Sequence, residues 1–204
     1  MIIQESLFVG RRIYLAPLDP ENDAELEARW THDIEYLRLL GADPARPVSP
    51  ARIKKRYSEL EQEMDDKDNQ FYFNIRLRQA EDERAEVEAP YGRLLGFVRL
   101  HWISWSNGSA FVSLGIADAQ ERGKGYGSEA LGLILRYAYA ELNLFSLSVS
   151  IPEYNQVALH VFKTAGFREE VRQRQALHRY GRRWDILYLG LLREEWQEQQ
   201  GLAA

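Results

Sequence analysis

The chain has 204 residues, 45% of them hydrophobic and 28% charged, with a formal net charge of −5 at pH 7. This is the make-up of a single globular domain over residues 1–204 with a sizeable core. The absence of cysteine excludes disulfides, thiolate metal sites and cysteine nucleophiles, no apolar run reaches the length of a membrane span, and the negative balance speaks against a nucleic-acid partner and for a cationic one.

The first residues, 1–8, lack the basic stretch and long apolar run of a secretory leader, so a cytoplasmic protein is expected. Residues 12–18 (RIYLAPL) read as a short strand ended by Pro17 and Pro20. Residues 19–35 are helical in character and carry seven acidic residues against one basic, Arg29; a solvated face accounts for that. Ser49-Pro50 opens the next helix with a cap and a proline at the first helical position. It runs to about Asp65, with Ile53, Tyr57, Leu60 and Met64 near helical spacing. Residues 71–77 (FYFNIRL) form a strand, and the acidic, alanine-rich stretch 79–90 is expected to be a mobile loop.

Residues 94–105 and 109–118 make a hairpin on the turn Asn107-Gly108. That register sets His101 opposite Leu114 and gives His101, Ile103, Trp105, Val112 and Leu114 one common face. A helix follows over residues 128–142. Residues 145–151 then alternate, with Phe145, Leu147, Val149 and Ile151 on one face and three serines on the other. Asn155 caps a helix ending near Gly166, and two last strands, 168–176 and 184–192, are joined around Gly181.

The stretch between the strand at 111–117 and the helix at 128 is Gln120-Glu121-Arg122-Gly123-Lys124-Gly125-Tyr126-Gly127-Ser128. A strand turning through glycines into a helix leaves backbone N–H groups unpaired at the positive end of the helix dipole, which is a site for phosphate. It is not a Walker loop, because Lys124 is followed by Gly125 rather than Ser or Thr. Nor is it a dinucleotide fingerprint, since the third glycine would fall on Ser128 and the place about twenty residues on, where an acidic residue would hold a ribose, is taken by Asn143 and Leu144.

The pattern Arg122-x-x-Gly125-x-Gly127 resembles the acetyl-CoA signature of the GNAT N-acetyltransferases. Asn155-x-x-Ala158, Phe162-Lys163 and Gly166-Phe167 resemble that family's second block, and residues 180–185 resemble the branch of ribosomal-protein and spermidine acetyltransferases. The resemblance implies an α/β fold with a mixed, mostly antiparallel sheet and helices on both faces. It also implies direct acetyl transfer from acetyl-CoA to a primary amine: a protein N-terminus, a polyamine or another small cationic amine. The cofactor would lie along Ile116, Ala117, Arg122, Gly123, Lys124, Gly125, Tyr126, Gly127, Ser128, Asn155 and Phe162, with an oxyanion donor near Ile116 and Ala117. In the family the first helical region borders the acceptor, so His32, Asp33 and Glu35 are candidate acceptor residues, with Trp105 beside them.

Two positions depart from the family pattern. Phe162 stands where many members have a proton-donating tyrosine, and Val112 where several carry a glutamate base. His101, Ser113 and Tyr154 are the replacement candidates for proton transfer. The helical angle from Asn155 sets His160 outside the site. No histidine pair has metal-ligand spacing, so no metal is expected. These departures leave open a non-catalytic CoA-binding module; a homodimer is also compatible with the sequence.

Overall fold

The computed structural model describes residues 6–42, 44–67, 69–78 and 92–201. The segment 79–90, expected as a loop, lies outside the described residues. Strands β1 (Ile13–Ala16), β2 (Phe71–Leu77), β3 (Leu94–Ser104) and β4 (Ser109–Ile116) pair antiparallel in sequence order. Next come β5 (Ser146–Pro152), β7 (Arg182–Leu192) and, at the edge, β6 (Arg168–Arg179), giving seven strands in the order β1-β2-β3-β4-β5-β7-β6.

Strands β4 and β5 are parallel neighbours and pair only from Ser109/Ser146 to Phe111/Ser148. Beyond that point they part. β4 remains held by β3 as far as Ile116, and β5 by β7 as far as Pro152. The sheet therefore carries a gap at its centre, with both sides supported.

Helices α1 (Pro20–Trp30), α2 (Ile34–Leu39) and α3 (Pro50–Lys67) lie on the face shown by Tyr72, Asn74, Arg76, Phe97, Arg99, Ser113 and Gly115. Residues 19–35, expected as one helical stretch, are two helices. Asp19 and Asp33 each accept a backbone N–H three residues on, from Asn22 and Tyr36, and so start a fresh helix. Many of the acidic residues of α1 are already engaged. Asp23 is buried against Arg76 at 2.5 Å, Glu27 bonds Arg56 and Tyr57, and Glu21 pairs with Lys54 at 2.5 Å.

The opposite face carries the main core, in which Val98, Leu100, Val112, Leu147 and Val149 meet the apolar side of α4 (Tyr126–Arg136) and Leu159 and Phe162 of α5 (Gln156–Thr164). Helix α4 ends in a π turn, Tyr137–Glu141. Helix α6 (Arg193–Gln199), which carries too few apolar residues to be read from the sequence, is anchored by Trp196 packing on Tyr139.

The hairpin differs from expectation. Ser104 pairs with Ser109, the chain turns through residues 105–108, and Trp102 takes a left-handed φ of 53° as a bulge. An extra residue in one strand flips the alternation beyond it. His101 consequently lies opposite Phe111, not Leu114, and its side chain shares a face with Ser113. Phe145, expected in line with Leu147, precedes the strand and is half exposed.

Candidate active site

The glycine stretch is a short 3-10 turn, Ala119–Glu121, followed by the loop that opens α4. Gly125 is the N-cap of α4 with φ 87°, a left-handed conformation that glycine adopts without a steric penalty. Its carbonyl accepts the first helical bond, from Glu129, which leaves the N–H groups of Tyr126, Gly127 and Ser128 without helical partners. The side chains around the loop fix it rather than enter it. Arg122 donates through Nε to the Ile116 carbonyl at 3.0 Å and through an Nη to the Ala117 carbonyl at 2.8 Å and to Asp33 at 2.9 Å. Lys124 pairs with Glu121 at 2.9 Å. Tyr126 lies under the Arg12 guanidinium, 5.0 Å from its ring centre.

Arg12 was not foreseen. It bonds the Lys124 carbonyl at 2.7 Å and Glu129 at 3.1 Å, bracing the loop from behind across more than a hundred residues of sequence. Neither its position nor its partners follow a local pattern, so only pairing information between distant residues would have found it.

The loop opens onto a cleft of about 430 Å³. One side is made by Gly123, Gly125, Gly127 and Ser128, the other by Asn155, Val157, Ala158, Val161 and Phe162 of α5 and its cap. The floor is Leu114, Gly115 and Ile116 of β4, and the far end is Tyr36, Leu39 and Leu40 at α2. Gly127 lies near Leu114 and Ile116 on one face of the sheet, whereas Gly115 lies near Tyr36 and Leu40 on the other. The cleft thus passes through the gap between β4 and β5 and joins the two faces. His160, expected outside, lines this cleft. A larger open groove of about 770 Å³ behind α4 is walled by Arg11, Arg12, Glu129 and Arg136, and lacks the glycine loop.

Ladder alternation decides which β4 amides face the gap. The Ala117 N–H donates to Leu95 of β3 at 2.8 Å. Counting back by the period of two, Leu114 and Ile116 turn their N–H groups away from β3 and toward the gap. Ala117, expected beside Ile116 as an oxyanion donor, therefore has its amide engaged, whereas the Leu114 amide faces the gap together with that of Ile116. Asn155 caps α5 by accepting the Ala158 N–H at 3.1 Å. Phe162 is buried and packs edge-on against Phe167.

On the α2 side, His101 Nε2 lies 2.9 Å from Ser113 Oγ, which brings two of the expected residues together. Burial, with the Arg99 charge adding to it, pulls the His101 imidazolium down to about 4, so the ring is neutral at pH 7. The Tyr154 hydroxyl donates to the Arg38 carbonyl at 3.0 Å, and its ring packs against Tyr180 and Trp184. Asp33 is held by Arg122. Burial opposes its ionisation, but the Tyr36 N–H and the Arg122 guanidinium outweigh it and keep the carboxyl below its usual range. His32 and Glu35 are exposed and border no described part of the cleft. Trp105 stands at the hairpin tip, edge-on to Phe71, at the opposite end of β4 from the cleft.

A cleft with unpaired helix N-terminal amides at one end, a gap in a sheet in the middle and Tyr36, Leu39 and Leu40 beyond fits a long donor carrying a pyrophosphate at one end and a reactive carbonyl at the other. Residues 12–168 match the acetyltransferase (GNAT) domain family. A probable N-acetyltransferase, YjcK, of Bacillus subtilis (strain 168) is 29% identical over 165 residues, covering 79% of this chain and 83% of that protein. Among solved structures, a probable acetyltransferase aligns with a TM-score of 0.75 at 25% identity, over 92% of this chain and 96% of that one. The spermidine N-acetyltransferase of Vibrio cholerae, solved in complex with CoA and spermine, aligns with a TM-score of 0.72 at 19% identity, over 91% and 98%. With the family model covering most of the chain, this protein belongs to the GNAT family and is an acetyl-CoA-dependent N-acetyltransferase.

Proposed function

We propose that the chain acetylates an α-amino group, with acetyl-CoA in the α4–α5 half of the cleft and the amine arriving from the α2 face. The observation carrying this reading is the gap between β4 and β5, lined by the glycine loop on one side and by Tyr36, Leu39 and Leu40 on the other, with the Ser113–His101 pair next along β4. The amides of Tyr126, Gly127 and Ser128 would hold the pyrophosphate, and Asn155 and Phe162 would flank the pantetheine arm. The Leu114 and Ile116 amides would face the charge that develops on the thioester oxygen. The amine nitrogen forms a bond to the acetyl carbon, the C–S bond breaks, and the amine proton passes to solvent or to the thiolate.

The preference for an α-amine follows from the available bases. An α-amine has a pKa of about 8, so about a tenth is neutral at pH 7, whereas a lysine-like amine near 10.4 is neutral in only about one part in a few thousand. With His101 held near 4, the base next to the cleft on the α2 side is too weak to deprotonate the second kind efficiently. The first helix does not offset this, because Asp23, Glu27 and Glu21 already have cationic partners. This reading differs from the polyamine substrates of the Vibrio cholerae enzyme.

The test is thiol release from acetyl-CoA with peptides bearing free N-termini, amino acids and spermidine, each with its amine blocked as a control. Faster release with α-amines supports the reading. Release with spermidine alone overturns it.

A further inference from the structure

Two arginines of the sheet, Arg76 and Arg99, point toward the α1–α3 face. Arg76 is matched by Asp23, and Arg56 of α3, which meets the same layer, is matched by Glu27. Arg99 is different. Among the described residues it makes no hydrogen bond and no ion pair, and its Nε is buried without a partner. Its charged neighbour Arg56 and the loss of water both disfavour its cation, and burial is the larger cause of its lowered pKa. Arg99 is half-buried, and leaving its buried Nε–H without an acceptor is costly unless an anion meets it.

The position supplies the rest. Arg99 is directly opposite Ser113, one residue from Leu114, whose amide faces the gap. Its other flank on the same face is Phe97, next to Gly115 at the cleft floor, and His101, bonded to Ser113. Beyond Phe111 β5 no longer pairs with β4, and Ser148 and Ser150 of β5 are partly or fully open. This face, beside the cleft, thus carries a cation and two polar groups, and Glu27 is already engaged by Arg56 and Tyr57.

We propose that Arg99 is the specificity-determining residue on the acceptor side of the cleft, binding a carboxylate of the acceptor, so that the preferred substrate is an amine that itself carries a carboxylate. The proposal rests on the reading that the amine enters from the α2 face, and narrows it. Guanidinium and carboxylate match as a fork, with two parallel N–H···O bonds. Ser113 Oγ and His101, tied to each other, complete a polar floor on which such a group can sit. The carboxylate can come from a free amino acid or from an acidic residue near a peptide N-terminus; the chemistry recognised is the same.

The experiment compares matched acids and amides. Amino acids are assayed against their carboxamides, and peptides beginning Ser-Asp or Ser-Glu against Ser-Asn or Ser-Gln, by thiol release and by calorimetric titration into the CoA-loaded protein. The wild type is expected to favour the acid over its amide by about tenfold to a hundredfold in kcat/KM, the scale of a charge-assisted bond. Preference in the first set identifies the free amino acid, and in the second the peptide. Arg99→Gln is expected to bring the ratio near one, and Arg99→Lys to restore part of it. Acetyl-CoA titration of each variant separates this from misfolding. Equal kcat/KM and equal binding of acid and amide by the wild type overturn the proposal, as does an acid preference surviving in Arg99→Gln. Loss of acetyl-CoA binding by the wild type would instead overturn the placement of the donor.

Discussion

Asp33 and Arg122 meet at 2.9 Å, joining the cap of α2 to the loop that opens α4. The same Arg122 grips the Ile116 and Ala117 carbonyls, so one side chain fixes the end of β4, the glycine loop and the helix over the acceptor side. Arg122→Ala frees two carbonyls and a carboxylate at once and is expected to weaken acetyl-CoA binding by about tenfold or more. Asp33→Asn keeps a capping side chain and costs less. In a double-mutant cycle read by calorimetry the two changes should fall short of additive, with a coupling of about 0.5–3 kcal/mol.

Gly125 and Gly127 separate strain from obstruction. Gly125 sits at φ 87°, and an added Cβ would come within 2.9 Å of Arg12. Gly125→Ala should lower stability by about 1–3 kcal/mol and acetyl-CoA affinity with it. At Gly127 an added Cβ would meet only Leu114 at 3.5 Å and Ile116 at 3.7 Å, ordinary contacts. Gly127→Ala should melt no lower than the wild type, yet bind acetyl-CoA more weakly because its methyl stands where the phosphates approach. Melting curves with and without acetyl-CoA read both effects.

His101 gives a pH signature. Its folded pKa, about 4, lies below the unfolded value near 6.5, so between these limits the unfolded chain binds the extra proton and stability falls as pH falls. Asp23 runs the other way. Burial raises its carboxyl to about 6, so its contribution is lost as pH rises from about 4 to 6. Comparing wild type with His101→Gln cancels the Asp23 part. The wild-type advantage in unfolding free energy should shrink by about 1–2 kcal/mol between pH 7 and pH 5. An advantage that does not change with pH contradicts a buried neutral imidazole.

The sequence made much of this chain legible, and the limits have physical causes. Strand Phe71–Leu77 and the two α4 and α5 motifs carry strong local signals, and the family pattern placed them in one fold. The Trp102 bulge was hidden because Asn107-Gly108 is so strong a turn signal that it fixed the wrong register, and with it the face on which His101 stands. The departure of β5 from β4 is written in neither strand. The inward turn of Asp23 and Glu27 depends on Arg76 and Arg56, far along the chain, so a row of acidic residues read as a solvated face.

Tyr154 and Phe162 test where proton transfer occurs. The Tyr154 hydroxyl is occupied by the Arg38 carbonyl and tethers α2. Tyr154→Phe should cost about 1 kcal/mol of stability and change kcat by less than about threefold. Phe162 is packed against Phe167. Phe162→Tyr restores the hydroxyl common in the family; if solvent takes the proton, its kcat should match the wild type. A large fall in kcat for Tyr154→Phe, with stability unchanged, would make Tyr154 the proton donor.

The central claim is that the donor lies in the gap between β4 and β5, under the amides of Leu114 and Ile116 and against the first turn of α4. Amide chemical-shift mapping during an acetyl-CoA titration tests it residue by residue. The largest shifts are expected at Leu114, Ile116, Gly127, Ser128 and Ala158, with Ala117, bonded to Leu95, moving less than Ile116. Shifts gathered instead around Arg11, Gly132 and Arg136, in the groove behind α4, would contradict it.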